Sequence, residues 1–150
     1  MKKAIFALGC FWKPEENFSK LNGIINTEVG YCGGYVDKTT YEEVCSGKTN
    51  HAEVVKIEFD EKKISYEDLI KKFFQMHDPT TLNKQGPDIG KQYRSEIFFL
   101  DDEQKKIAEK TKSILNNKYK EKIVTNISKQ RNYCKAEEYH QKYIKKNNLK

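Results

Sequence analysis

Between Lys3 and Leu100 the chain alternates short apolar runs with segments of helical period, and that order constrains the fold more than any single residue does. Lys3 to Leu8 is a compact apolar run, read as a buried strand, and Gly9-Cys10 turns the chain out of it. Pro14 with Glu15 and Glu16 marks the first turn of a helix running to about Leu21, since proline suits that turn and acids favour its positive end. Asn22-Gly23 stops it. Ile24 to Tyr31 alternates as a second strand, and the glycines at 30, 33 and 34 open a long loop to about His51. Ala52 to Asp60 is the clearest strand. Ser65 with Asp68 has the pattern of a capping box, opening a helix with Leu69, Ile70, Phe73 and Phe74 at helical spacing; His77-Asp78-Pro79 ends it. After a second polar loop, Ser95 to Leu100 reads as a strand. This βαββαβ order is the ferredoxin-like arrangement. It is extended by a helix from Asp102 to about Asn117, with Ile107, Ile114 and Leu115 on its buried side, and by a strand from Ile123 to Ile127. The expectation is one α+β domain over residues 1–150, with a mixed sheet and long surface loops, whose polar C-terminal end wraps the surface.

Composition narrows the function. Apolar residues are 37% and charged residues 33%, the balance of a globular chain. The formal charge of +6 is carried almost wholly by lysine, with arginine only at Arg94 and Arg131. A nucleic-acid reader favours arginine, whose fork matches phosphate and guanine edges, so the lysines read as a solvated surface and no nucleic acid is expected. No apolar run approaches the roughly 20 residues of a membrane span. The four cysteines contain no CxxC pair and the three histidines are scattered, so no metal site is expected. Met1-Lys2-Lys3 precedes an apolar stretch ending at Cys10 that is shorter than the roughly 7–15 residues of a signal core. A reducing cytoplasm is the expected setting, with the cysteines as free thiols.

Cys10 lies where a strand ends and a helix begins, so helix N–H groups should favour its thiolate; a packed structural cysteine is the equal alternative. Phe11 and Trp12 follow it. On a strand-to-helix turn both rings cannot enter one core, which leaves one to line a cleft. Glu53 shares a strand face with Val55, Ile57 and Phe59. A carboxyl ending an apolar stripe is costly to ionise, so its pKa should rise toward the range of a general acid; a glutamate at a frayed strand end reaching water is the alternative. The two long loops add Tyr41, then Asp88 and Tyr93, in stretches dense in glycine and acids where a scaffold usually carries its site.

In order along the chain, Gly9-Cys10-Phe11-Trp12, Gly30-Tyr31-Cys32-Gly33-Gly34, Tyr41 to Gly47, His51-Ala52-Glu53, His77-Asp78-Pro79, Gln85-Gly86-Pro87-Asp88, Gln92-Tyr93-Arg94-Ser95 and Ala136-Glu137-Glu138-Tyr139-His140-Gln141 resemble the A-type peptide methionine sulfoxide reductases. The resemblance runs from residue 4 to about 143. It implies that Cys10 attacks the sulfoxide sulfur and becomes a sulfenic acid, a state that a second thiol clears. It further implies that Glu53 protonates the sulfoxide oxygen with Tyr41 and Tyr93 as hydrogen-bonding helpers. Phe11 and Trp12 would cradle the methyl group and Asp88 would contact the substrate backbone. The implied substrates are oxidised proteins or peptides and free methionine sulfoxide of the S epimer. No bound cofactor is implied, the reductant is an external thiol, and a monomer is expected.

Regeneration is the step in which the sequence departs from the family. Many members carry recycling cysteines in a Gly-rich C-terminal tail, which the sequence to Lys150 does not contain. Cys32 stands where the family usually has threonine, and Cys134 lies in the stretch before Ala136. Either glutathione, glutaredoxin or another small thiol reduces Cys10 directly, which is the favoured reading, or Cys32, Cys45 or Cys134 resolves it before thioredoxin acts. A thiol peroxidase would need the same cysteine but no methyl pocket, and a basic interaction module would leave Cys10 unreactive. Neither accounts for Glu53, Asp88 and Tyr93 together.

Overall fold

The structure, a computed structural model, describes residues 2–120 and 122–148. Its main elements are β1 (Lys2–Leu8), α1 (Trp12–Ser19), β2 (Ile24–Cys32), α2 (Tyr41–Ser46), β3 (Ala52–Phe59), α3 (Tyr66–Met76), β4 (Lys84–Gln85), β5 (Asp88–Ile89), β6 (Ser95–Phe99), α4 (Asp102–Asn116), β7 (Asn126–Lys129), β8 (Cys134–Lys135) and α5 (Tyr143–Lys146). Six strands form one sheet in the order β7-β6-β1-β3-β2-β8, and β4 and β5 form a separate hairpin. The inner order β6-β1-β3-β2 is antiparallel throughout, as the ferredoxin-like reading requires, and β7 joins β6 in parallel, which makes the sheet mixed.

One face of the sheet carries the main core. Phe6 of β1 sits at its centre, with ring centroids 5.6 Å from Phe18 of α1, 5.2 Å from Phe73 and 6.0 Å from Tyr66, both of α3. Truncating such a buried ring costs about 3–5 kcal/mol. Val55, Ile57 and Phe59 join that core, while Ile5, Ala7, Cys32, Ala52, Val54 and Phe98 face the opposite side. The predicted capping box at α3 is present, with Ser65 Oγ accepting from Asp68 N at 3.0 Å and Asp68 Oδ2 accepting from Ser65 N at 3.3 Å.

Several local expectations shift, each for a physical reason. The first helix spans 12–19, and Pro14 still falls in its first turn, where no intrahelical N–H is lost. The loop expected through His51 contains α2: Thr40 caps it by accepting from Glu43 N, and Gly47 ends it in the left-handed region. The last strand begins at Asn126 rather than Ile123, because Ile123 N donates to Asn116 Oδ1 and Val124 N to Pro79 O, outside the ladder. On α4 the buried positions are Gln104, Ala108 and Thr111, with Ile107 and Leu115 beside them, and Ile114 is exposed. The C-terminal segment does not merely wrap the surface, since Ala136, His140 and Gln141 are buried. It is reached through close backbone approach: a Cβ on Gly30 would lie 2.7 Å from the carbonyl oxygen of Cys134.

His77 pins α3 to β6. Its Nδ1 donates to Phe73 O at 2.7 Å, so its Nε2 accepts from Ser95 Oγ at 2.7 Å, and Ser95 in turn accepts from Thr125 at 2.7 Å. Burial pushes the His77 imidazole down from 6.5 to about 4. Because the unfolded chain takes up this proton first, the stability that neutral His77 contributes is complete above about pH 6.5 and is lost as pH falls toward 4, up to about 3 kcal/mol. His51 and His140, also lowered by burial, act with the same sign. Urea unfolding between pH 7 and 4 should therefore show stability falling with acid, and His77→Gln should flatten part of that slope. An unchanged slope in the variant would show that another group sets it.

Candidate active site

Gly9, at φ +96°, lets the chain leave β1 in a tight turn that a Cβ would block against the Gln85 side chain. The turn sets Cys10 just before α1, half-buried, with Gln85 and Asp88 of the β4–β5 hairpin close by. Helix N–H groups were expected to favour its thiolate. Burial outweighs them and pushes the Cys10 thiol up to about 12; the Trp12 N–H opposes this, and the carboxylates of Glu53 and Asp88 add to it. Cys10 therefore rests as a thiol at neutral pH.

Glu53, near the start of β3 and opposite Tyr31 of β2, is 2% exposed, and its Oε1 accepts from Phe11 N at 3.2 Å. Burial raises its carboxyl from 4.5 to about 8, against the Phe11 N–H and with help from Asp88. This is the raised acid that the apolar stripe predicts. Tyr93, in the turn before β6, is raised to about 12 by burial and by the charges of Glu53, Cys45, Asp88 and Cys10. Tyr41 opens α2 and is raised through a hydrogen bond with Cys45, then by burial. Cys10, Glu53, Tyr93, Asp88, Tyr41 and Cys45 thus converge from five elements and their turns.

The aromatic pair divides as the turn demands. Phe11 is fully buried, its ring 5.8 Å from Tyr31 and 5.1 Å from His140. Trp12 is half-buried; its Nε1 donates to His140 Nδ1 at 3.0 Å, and its ring stacks on Tyr143 at 3.7 Å and 7°. His140 also packs on the Tyr41 ring at 4.8 Å. The indole N–H is only a donor, so His140 carries its proton on Nε2, where it is buried without a hydrogen-bond partner.

The remaining cysteines separate. Cys32 is buried on the opposite face of the sheet, donating to Arg131 O at 3.4 Å, and burial pushes it up to about 11. Cys134 on β8 points to Thr39 O at 3.7 Å. Cys45 is exposed beside Tyr41. Among the described residues no group of three His, Cys, Asp or Glu could hold a metal ion, and no helix is long and apolar enough to cross a membrane.

Sequence reasoning gave no role to Glu137, His140, Gln141 or Tyr143. Glu137 accepts from Tyr31 Oη at 2.8 Å and from Tyr41 N at 2.9 Å, and so locks α2 to the sheet beside the site. These and related hydrogen bonds hold its carboxyl below the usual range although burial acts to raise it. Gln141 accepts from Val29 N at 2.9 Å and donates to Val29 O at 2.8 Å, taking the place of a strand. The available signal was the density of acids, aromatics and histidine in an otherwise lysine-rich tail.

The peptide methionine sulfoxide reductase family model matches residues 2–150. The chain is 60% identical over 146 residues to a peptide methionine sulfoxide reductase MsrA of Pelagibacter ubique, covering 97% of this chain and 99% of that one. It is 48% identical over 147 residues to the MsrA of Clostridium perfringens, covering 98% and 94%. Among solved structures, Mxr1 from Saccharomyces cerevisiae in reduced form superposes with a TM-score of 0.94 at 40% identity, covering 99% of this chain and 87% of that one. The same yeast protein in complex with Trx2 matches with a TM-score of 0.68 at 29% identity, covering 95% and 84%. With the family model spanning the chain and close relatives covering it nearly end to end, the chain belongs to the peptide methionine sulfoxide reductase family and is an oxidoreductase that reduces methionine sulfoxide.

Proposed function

We propose that residues 1–150 form one catalytic domain in which Cys10 attacks the sulfoxide sulfur while Glu53 protonates the sulfoxide oxygen. The observation that carries this reading is the Glu53 carboxyl, 2% exposed and raised to about 8, set against the nucleophile's own turn through Phe11 N. A sulfoxide oxygen leaves poorly unless protonated, and a carboxyl that stays neutral near pH 7 can supply that proton. The step balances: the sulfoxide oxygen takes the Glu53 proton and passes to Cys10 as a sulfenic acid, the thiol proton returns to the Glu53 carboxylate, and the methionine thioether is released. Tyr41 and Tyr93 hydrogen-bond the oxygen, Phe11 and Trp12 hold the methyl group, and Asp88 meets the substrate backbone. The substrate is the S epimer of methionine sulfoxide, free or in oxidised proteins and peptides, and the enzyme works as a cytoplasmic monomer with no bound cofactor.

Two thiols then restore Cys10. The first attacks the sulfenic acid, releasing water and leaving a mixed disulfide; the second displaces Cys10 as a thiol. Cys32 lies across the sheet and Cys134 is turned toward Thr39, whereas Cys10 is half-buried, which favours direct attack by an external thiol such as glutathione or glutaredoxin. The yeast relative's complex with Trx2 favours a second reading, in which thioredoxin is the reductant and the exposed Cys45 first forms a disulfide with Cys10.

Glu53→Gln should lower the single-turnover rate on a methyl sulfoxide by about 10²-fold or more, with an unchanged unfolding transition. Since thiol and acid are both protonated in the reactive form, the wild-type rate should fall as pH rises through about 8, and the variant should lack that fall. A wild-type rate that instead climbs between pH 7 and 9 would mean that thiolate formation precedes attack. Epimer preference is read from turnover on each epimer with dithiothreitol as donor; equal rates would sink that assignment.

Regeneration is decided by mass spectrometry after one equivalent of substrate without reductant. A product 16 Da heavier that glutathione converts to a mixed disulfide is expected, on the oxidation chemistry of a lone thiol. An internal Cys10–Cys45 disulfide would establish the thioredoxin route instead.

A further inference from the structure

Glu15 is a carboxylate on α1, 2% exposed, that the reaction as described does not use. It lies one turn beyond Trp12 and faces the C-terminal segment. Its Oε2 accepts from Thr27 Oγ1 at 2.9 Å and lies 3.6 Å from Lys142 Nζ, and its Oε1 accepts from the backbone N–H of Lys142 at 2.7 Å. Lys142 Nζ also donates to Thr27 O at 2.8 Å. A carboxyl group withdrawn from water in this way is tolerated only because donors meet both of its oxygens.

The backbone at Lys142 is in the left-handed region, φ +53° and ψ +40°, a conformation unfavourable for a residue with a side chain and kept only where its surroundings impose it. That residue lies between the two groups that hold the indole. His140 precedes it and accepts the Trp12 Nε1–H; Tyr143 follows it and stacks on the ring. The reversal at Lys142 is what allows both to reach Trp12, and the Glu15 carboxylate is the group that meets its N–H.

We propose that Glu15 is a positioning residue for Trp12: it clamps Lys142 in its left-handed turn and so seats Tyr143 and His140 against the indole. The inference rests on the reading of Trp12 as part of the methyl pocket only for its catalytic consequence. The clamp itself acts on a defined part of the segment. Gln141 remains tied to Val29, and Glu137 to Tyr31 and Tyr41, when Glu15 is changed. Loss of the carboxylate therefore frees residues 142–143 and leaves the rest docked.

Trp12 is the only tryptophan of the chain, so its fluorescence reports this pocket alone. Glu15→Ala should shift the emission to longer wavelength and increase iodide quenching, and raise KM for a methyl sulfoxide about fivefold with kcat within about twofold. Glu15→Gln, which keeps an acceptor but loses the charge, should do the same to a smaller degree and serves alone if the alanine variant does not fold. Tyr143→Leu should reproduce the effect, and Glu15→Gln combined with Tyr143→Leu should add nothing beyond it, because both act through one stack. Unchanged emission and KM in both Glu15 variants, or fully additive effects with Tyr143→Leu, would overturn the proposal. Shifted emission with unchanged KM would uphold the clamp and count against substrate contact by Trp12, which Trp12→Phe kinetics test separately.

Discussion

The hydrogen bond from Phe11 N to Glu53 Oε1 ties the two halves of the site together, because it joins the turn that carries Cys10 to the neighbouring strand that carries Glu53. It exists because β1 and β3 are direct neighbours in the sheet, with Phe6 opposite Val55 and both strands running into the site at one edge. A backbone N–H in that position would otherwise be buried without a partner. The carboxyl that satisfies it is one that burial keeps largely protonated. The bond therefore costs little ionisation and fixes the Glu53 carboxyl relative to the Cys10 turn. Such pre-set geometry is what lets an acid act in a transition state without reorganisation.

The second constraint is the C-terminal segment, which forms a wall of the same site although it is mostly polar. It is held by side chains that replace missing sheet and helix bonds: Glu137 for α2 and Tyr31, Gln141 for β2, and Glu15 for the turn at Lys142. Each buries a polar group and satisfies it, so each costs little when intact and much when one partner is lost. Hydrophobic burial sets the sheet and its helices; these polar pins set where the aromatic rings of Trp12, His140 and Tyr143 stand.

Elements whose signals are local were legible in the sequence. β3 and α3 show their periods plainly, and the order of strands and helices was enough for the ferredoxin-like core. Glu53 was legible for the same reason, since strand alternation alone puts it on the apolar face. What failed was set by partners distant in sequence. β7 begins late because Asn116 and Pro79 take the hydrogen bonds of Ile123 and Val124. Ile114 is exposed because the buried face of α4 runs through Gln104, Ala108 and Thr111, which periodicity of apolar residues alone passes over. α2 was missed although Thr40 and Glu43 have capping-box spacing, because glycines on both sides read as loop. The roles of Glu137, His140 and Tyr143 depend on contacts with α1, β2 and α2 across about a hundred residues or more, and nothing local announces them.

The thiol at Cys10 was the instructive reversal. A helix start predicts a thiolate, but the same turn places the sulfur near Glu53 and Asp88 and partly out of water, and desolvation wins. A suppressed thiolate has a chemical logic for this reaction. A site that held a free anion at rest would expose it to any oxidant. In the reaction we propose, with both groups neutral, charge develops only as the sulfur–sulfur contact forms and the oxygen takes its proton. On the proposed mechanism, reactivity is conditional on a sulfoxide being seated, and selectivity resides in the aromatic pocket and in Glu53 rather than in Cys10 alone.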